Sequence, residues 1–312
     1  MRAKFIFGIV LLLLATFGVF GQARKTAQTQ TTSRTITVIT EPKAVVWLDD
    51  VRYGATDDTG KLTLQAVPAG MRKLRVRADG FKEVSQNLLA AQKGDVKIVL
   101  TKTSDEAELT FQQAESQKDK TKAIELYQKA IRLRPKYAEA NLGLARALSD
   151  ESDTDEALKA IKAARAARPV YPEASAVEGR IYKSENNDEK AIASFKRAIS
   201  EGKGFQPEAH AGLGLLYRDK AETAAAAGDF QSEKDYYILA VGQLIDAAAQ
   251  LGGAPDAVTI YQLLGDSYER AKMYSEAVKV YEKFLRVFPD ASEADAVRSF
   301  IVQLKKRMSG EQ

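Results

Sequence analysis

Four residues of this chain return 34 positions later. Ala123, Tyr127, Ala130 and Pro135 recur as Ala157, Ile161, Ala164 and Pro169, then as Ala191, Phe195 and Ala198 with Lys203 in the proline's place, and again as Ala277, Tyr281, Phe284 and Pro289. Spacings of 4 and 3 put the first three on one helix face, and the proline ends the helix behind them. A unit of this length leaves an apolar face that only its neighbour can cover, so the pattern predicts stacked, mutually dependent units.

A second set of marks precedes each copy. Gly179 with Tyr182, Gly214 with Tyr217, and Gly265 with Tyr268 place a residue without a side chain one turn before an aromatic, and Ala145 with Leu148 take these places in the unit 138–171. Glycine inside a helix costs about 1 kcal/mol relative to alanine, so three in register predict close helix crossings. The marks give five helix pairs. In the first, about 105 to 137, Phe111 stands where a small residue is expected. In the fourth, the stretch after Tyr217 delays the second helix by about 14 residues, which predicts two longer helices. A final helix is expected from a Ser292 cap to a basic end.

This spacing of small, aromatic, small and proline residues resembles the tetratricopeptide repeat, over roughly 200 residues. The resemblance implies a superhelix of antiparallel helix pairs whose first helices line a concave groove for a protein or peptide. On those helices Glu139, Leu142, Arg146 and Ser149 share one face, as do Glu173, Ala176, Arg180 and Lys183, then Glu208, Ala211, Leu215 and Arg218. The candidate ligand contacts are Glu139, Arg146, Glu173, Arg180, Lys183 and Arg218. Guanidinium and ammonium groups clamp carboxylates by charge-assisted hydrogen bonds, so an acidic peptide or a chain's C-terminal carboxylate is the expected ligand. The bland reading is a solvated face that keeps an alanine-rich helix soluble.

Upstream of residue 103 the composition is different. The runs at 35–40, 44–50, 61–67, 71–78 and 95–101 are short, rich in β-branched residues and separated by Gly, Pro and Asp, which predicts a small antiparallel sandwich over 35–102. The fold class expected for the whole chain is therefore α+β and multidomain, a β module followed by an α-solenoid over 103–312. In "MRKLRVRA", Leu74 and Val76 are expected to face the core while Lys73, Arg75 and Arg77 face solvent. Asp49, Asp50, Asp57 and Asp58 lack calcium-loop spacing and read as turn residues, so no metal site is assigned. Pro42, Val46, Leu48, Asp49, Pro68, Gly70, Gly80 and Phe81 resemble the PEGA domain, with "EPKA" replacing that motif's namesake residues. That resemblance implies an extracytoplasmic interaction or attachment module without a catalytic residue.

At the start, Arg2 and Lys4 precede an apolar run from Phe5 to Phe20, and Gly21-Gln22-Ala23 has small-x-small form. This reads as a secretory signal peptide, 1–23, and places the rest in the periplasm, the cell envelope or the medium; the competing reading is a retained anchor. Residues 24–34 are expected to form a flexible polar linker. After removal of Arg2 and Lys4 the chain carries 44 basic against 42 acidic residues, a balance that argues against nucleic acid and other general polyanions. No cysteine occurs, so stability rests on packing without disulfides.

Nothing in the sequence assembles a catalytic set or calls for a cofactor. The only histidine, His210, has no cysteine or second histidine to work with and reads as a packed helix residue. Two functions fit. The first is an exported interaction scaffold whose groove holds a protein or peptide while the β module positions it at the envelope. The second is a cell-wall carbohydrate binder that reads its polymer through Trp47, Tyr53 and Phe81, with the helices as a spacer. Trp47, inside an apolar run, reads as core and weakens the second.

Overall fold

The computed structural model describes residues 34–310. The expected signal peptide, and the expected linker up to residue 33, lie outside the described residues. Arg34, placed at the linker's end by the sequence, opens the first strand instead. It is buried, and its guanidinium donates to the carbonyls of Gly70 at 2.8 Å and Gln92 at 3.1 Å.

Among the described residues, seven strands form two facing sheets. They are β1 (Arg34–Ile39), β2 (Val45–Leu48), β3 (Val51–Ala55), β4 (Lys61–Val67), β5 (Arg72–Arg77), β6 (Val84–Leu88) and β7 (Gly94–Lys97). One sheet has the order β4-β1-β7 and the other β3-β2-β5-β6; all neighbours are antiparallel except β1 and β7. Alternation supplies the core, with Ile36, Val38 and Leu64 from the first sheet meeting Val46, Leu74, Val76 and Leu88 from the second, all fully buried. Two strands were not expected. β3 follows a two-residue turn in which Asp49 and Asp50 both have positive φ, 49° and 66°, the type that folds a hairpin back most tightly. β6 is a polar edge strand with little hydrophobic signal.

The helices pair as the period predicts. The pairs are α1 (Glu106–Ser116) with α2 (Lys120–Leu133), α3 (Ala138–Asp150) with α4 (Thr154–Ala167), α5 (Pro172–Ser184) with α6 (Asp188–Glu201), α7 (Pro207–Ala226) with α8 (Phe230–Leu251), and α9 (Ala257–Arg270) with α10 (Tyr274–Val287). The fourth pair is the long one, with helices of 20 and 22 residues. A final helix, α11 (Ala294–Ser309), ends on Lys306 and Arg307 as expected, but its cap is Glu293 rather than Ser292, whose hydroxyl bonds the Glu293 carboxylate.

The register glycines are explained by side chains on the second helices. A Cβ on Gly179 would stand 2.6 Å from the Phe195 ring, one on Gly265 would overlap Tyr281, and one on Gly214 would meet Leu244 at 2.8 Å. In the first two of these the partner lies sixteen residues on. The longer gap from Gly214 to Leu244 is the fourth pair's insertion, so Leu244 holds the ring's place. Phe111, the misfit of the first pair, is buried and stacks on Tyr137 with ring centres 5.0 Å apart.

One expectation is overturned. Of the three residues expected to face solvent only Lys73 is exposed; Arg75 and Arg77, on the second face of the β3-β2-β5-β6 sheet, are turned to the helices. Arg77 is buried there, donates to Glu115 of α1 at 2.9 Å and stacks on both Trp47 and Phe111. Arg75 is half-buried over the Trp47 ring. Alternation separated the two faces correctly, but a face covered by polar helices carries the same residues as one covered by water.

Candidate functional site

The β3-β2-β5-β6 sheet faces the first helices of the second, third and fourth pairs across one cavity and is held to the helices at two places. At the α1 end, besides the Arg77–Glu115 pair, the Gln112 amide accepts from the Gly80 N–H at 2.9 Å and donates to the Phe81 carbonyl at 2.8 Å. At the other end the Tyr53 hydroxyl donates to the Leu251 carbonyl at 3.0 Å, and Arg72 stacks on Phe205. Gly252 and Gly253, after α8, let the chain pass so close to Gln65, Ala66 and Pro68 that a Cβ on Gly252 would lie 2.7 Å from the Ala66 carbonyl. Gly252 also has φ +59°, which glycine adopts without strain.

Between these clamps lies a cavity of about 980 Å³. Its floor comes from the first helices of the second, third and fourth pairs, as the resemblance implied, through Arg146, Glu173, Arg180, Lys183, Glu208 and Leu215. Its roof is the sheet face, through Asp49, Asp50, Arg52 and Lys73. Four of the six candidate contacts therefore meet in one space. The other two lie apart from it: Glu139 is paired with Arg168, and Arg218 is held by Asp266 at 2.6 Å and the Leu263 carbonyl at 2.9 Å. Sequence reasoning missed Arg52 and Lys73, because nothing local tells a strand which helices will cover it.

The charges in the cavity are partly matched. Arg146 pairs with Glu208 at 3.3 Å, Lys183 with Asp219 at 2.6 Å and Arg72 with Asp49 at 3.1 Å. Burial lowers the Arg146 guanidinium, but Glu208, Tyr171, Glu115 and Glu173 outweigh it and the net shift is upward, so its charge is fixed. Arg52 and Arg180 are exposed to the cavity and have no ion-pair partner among the described residues. The Glu173 carboxyl, in the first turn of α5, meets that of Asp50 in the β2–β3 turn. Burial and then the Asp50 charge push Glu173 up to about 7.

The rings of the β module are not an open platform. Trp47 and Tyr53 are buried and Phe81 is half-buried. His210 is packed in the helices, with Nδ1 2.9 Å from Gln243, as the sequence indicated. No helix among the described residues is long and apolar enough to cross a membrane.

Fold and groove define a tetratricopeptide-repeat solenoid preceded by a two-sheet β module. Three family models described as tetratricopeptide repeat match residues 114–181, 173–201 and 250–291. No curated protein matches. Similar solved structures include MamA, with 21% identity over 62% of this chain and 96% of that one at a TM-score of 0.42. They also include a thermophilic repeat protein of Thermus thermophilus, with 21% identity over 63% and 99% at 0.46, and the human IFIT1 dimer, with 18% over 66% and 46% at 0.49.

Proposed function

We propose that this chain is an exported interaction scaffold that holds a short acidic segment of a protein partner between the solenoid and the β module. The observation that carries the reading is the cavity itself. It is at the upper end of the range that encloses a small ligand, and two guanidinium groups, one from each layer, face it without an ion-pair partner among the described residues. An arginine in that state gains a carboxylate without first breaking a bond to another. Export rests on the N-terminal pattern of Arg2, Lys4 and the apolar run behind them. The β module, PEGA-like in its spacing, serves twice in this reading: one sheet roofs the site, and the outer face of the other, carrying Thr35, Thr37 and Thr63, positions the protein at the envelope.

The test uses a fluorescent hexaglutamate peptide with hexalysine as its control. Hexaglutamate binds, hexalysine does not, and reversing charge at Arg52 or Arg180 weakens hexaglutamate at least about tenfold. Equal binding of the two peptides, or binding that survives both reversals, rejects the reading.

A further inference from the structure

Asp50 and Glu173 are two carboxyl groups from different layers that meet at the wall of one cavity. Like charges at contact are costly, and such pairs keep a proton that isolated carboxyls give up. No neighbour among the described residues fully neutralises them. On the sheet, Arg75 reaches Asp50 at 3.4 Å but is also engaged by Glu83 at 3.5 Å. Glu83 is itself pushed up by burial and by the charges of Glu139 and Asp50, against Arg75 and Arg77. On the helices, Arg146 of α3 faces Glu173 but is paired with Glu208 of α7, and Arg168 and Tyr171 approach from the α4–α5 loop, Arg168 taken by Glu139.

We infer that the Asp50–Glu173 pair sets the charge of the cavity, so that capture of an acidic segment is coupled to uptake of one proton. With the proton in place the pair carries one negative charge and the cations without an ion-pair partner among the described residues, Arg52, Lys73 and Arg180, dominate. Without it the pair carries two and opposes the ligand. The inference rests on the acidic-segment reading above, and adds to it a site that fills as the medium acidifies and empties as it becomes alkaline. By linkage the coupling is reciprocal: a ligand that prefers the protonated pair raises its proton affinity.

The test is calorimetry of hexaglutamate with the full chain at pH 6 and pH 8, in buffers of different ionisation enthalpy. The peptide's own carboxyls stay ionised over that range. Binding is expected to be about fivefold tighter at pH 6 than at pH 8, the part of a tenfold limit that one pKa unit of coupling gives for a pair titrating near 7, with net proton uptake at pH near 7. Glu173→Gln, which replaces the shared proton by an amide N–H, should bind at pH 8 as the unaltered chain does at pH 6 and take up no proton. His210→Gln controls for the only histidine, which contacts Gln243 and lies outside the cavity, and should leave the pH dependence intact. Equal affinity at both pH values, or a pH dependence that survives in Glu173→Gln, overturns the coupling and leaves the acidic-segment reading standing. Absence of hexaglutamate binding at either pH overturns that reading and the coupling with it.

Discussion

The Tyr281 ring lies against the Cα of Gly265 and its hydroxyl donates to Glu269 at 2.8 Å. Tyr127 repeats half of this arrangement in the first pair, donating to Glu115 at 2.5 Å across the same twelve residues. The repeat is therefore not only a spacing of small and large side chains. It fixes where a ring stands and which carboxylate receives it.

Tyr281→Ala removes that ring from a fully packed crossing and is expected to cost about 3–5 kcal/mol. Tyr281→Phe keeps the ring and loses the bond to a carboxylate, with an expected cost of about 1.5–3 kcal/mol. Urea unfolding followed by circular dichroism measures both. A melt unchanged by Tyr281→Ala would contradict the register.

Gly265→Ala sets two effects against each other. Helix propensity favours alanine by about 1 kcal/mol, while the overlap with Tyr281 forces the ring or the helix to move at about 1–3 kcal/mol. Overlap is expected to win. The control is Gly242→Ala on α8, where a Cβ would meet nothing within 4 Å among the described residues and stability should rise.

Gly253→Val places a side chain where the Gln65 carbonyl now sits. The expected outcome is loosening of the β module from the α8–α9 corner, read as a larger radius of gyration in solution scattering with helix content unchanged. An unaltered radius would show that the corner is not a clamp.

Glu173 gives the fold a pH dependence of known sign. Its carboxyl is pushed up from 4.5 to about 7, chiefly by burial, so below pH 4.5 both folded and unfolded states hold the proton and the contribution is fully present. As pH rises from 4.5 the unfolded state releases its proton while the folded state still holds it, so stability falls until the folded carboxyl also ionises near 7, by at most about 3 kcal/mol. Thermal melts of Glu173→Gln should lose that decline between pH 4.5 and 8. A decline of equal size in the variant would assign it to other groups.

Much of the helical half was legible in the sequence because the period is fixed and each packing position carries a residue of characteristic size. Ala123, Tyr127 and Ala130 announce a buried face by spacing alone, and the fourth pair's insertion is countable. What the glycines pack against was not legible, since Gly179 and Phe195 sit on different helices and no local rule joins them. The sandwich was legible through Leu74 and Val76, but β3 was hidden behind an Asp-Asp turn that lacks the usual Asn-Gly or Asp-Gly signal. The cavity was half legible. Its floor, from Arg146 to Lys183, follows from helix spacing, whereas its roof depends on Arg77 meeting Glu115 and Tyr53 meeting Leu251, pairs separated by 38 and 198 residues. Such contacts leave no periodic trace.

The claim on which the site depends is that the sheet face covers the solenoid groove, and the Arg77–Glu115 pair tests it most directly. A double-mutant cycle with Arg77→Ala, Glu115→Ala and the double variant, measured by denaturant unfolding, isolates the contact between β5 and α1 from the other bonds that each residue makes. A coupling of about 1–2 kcal/mol is predicted for a charge-assisted bond at 2.9 Å whose arginine is buried and whose carboxylate is partly open to solvent. Effects that add within about 0.5 kcal/mol would place the two residues apart and leave the groove uncovered.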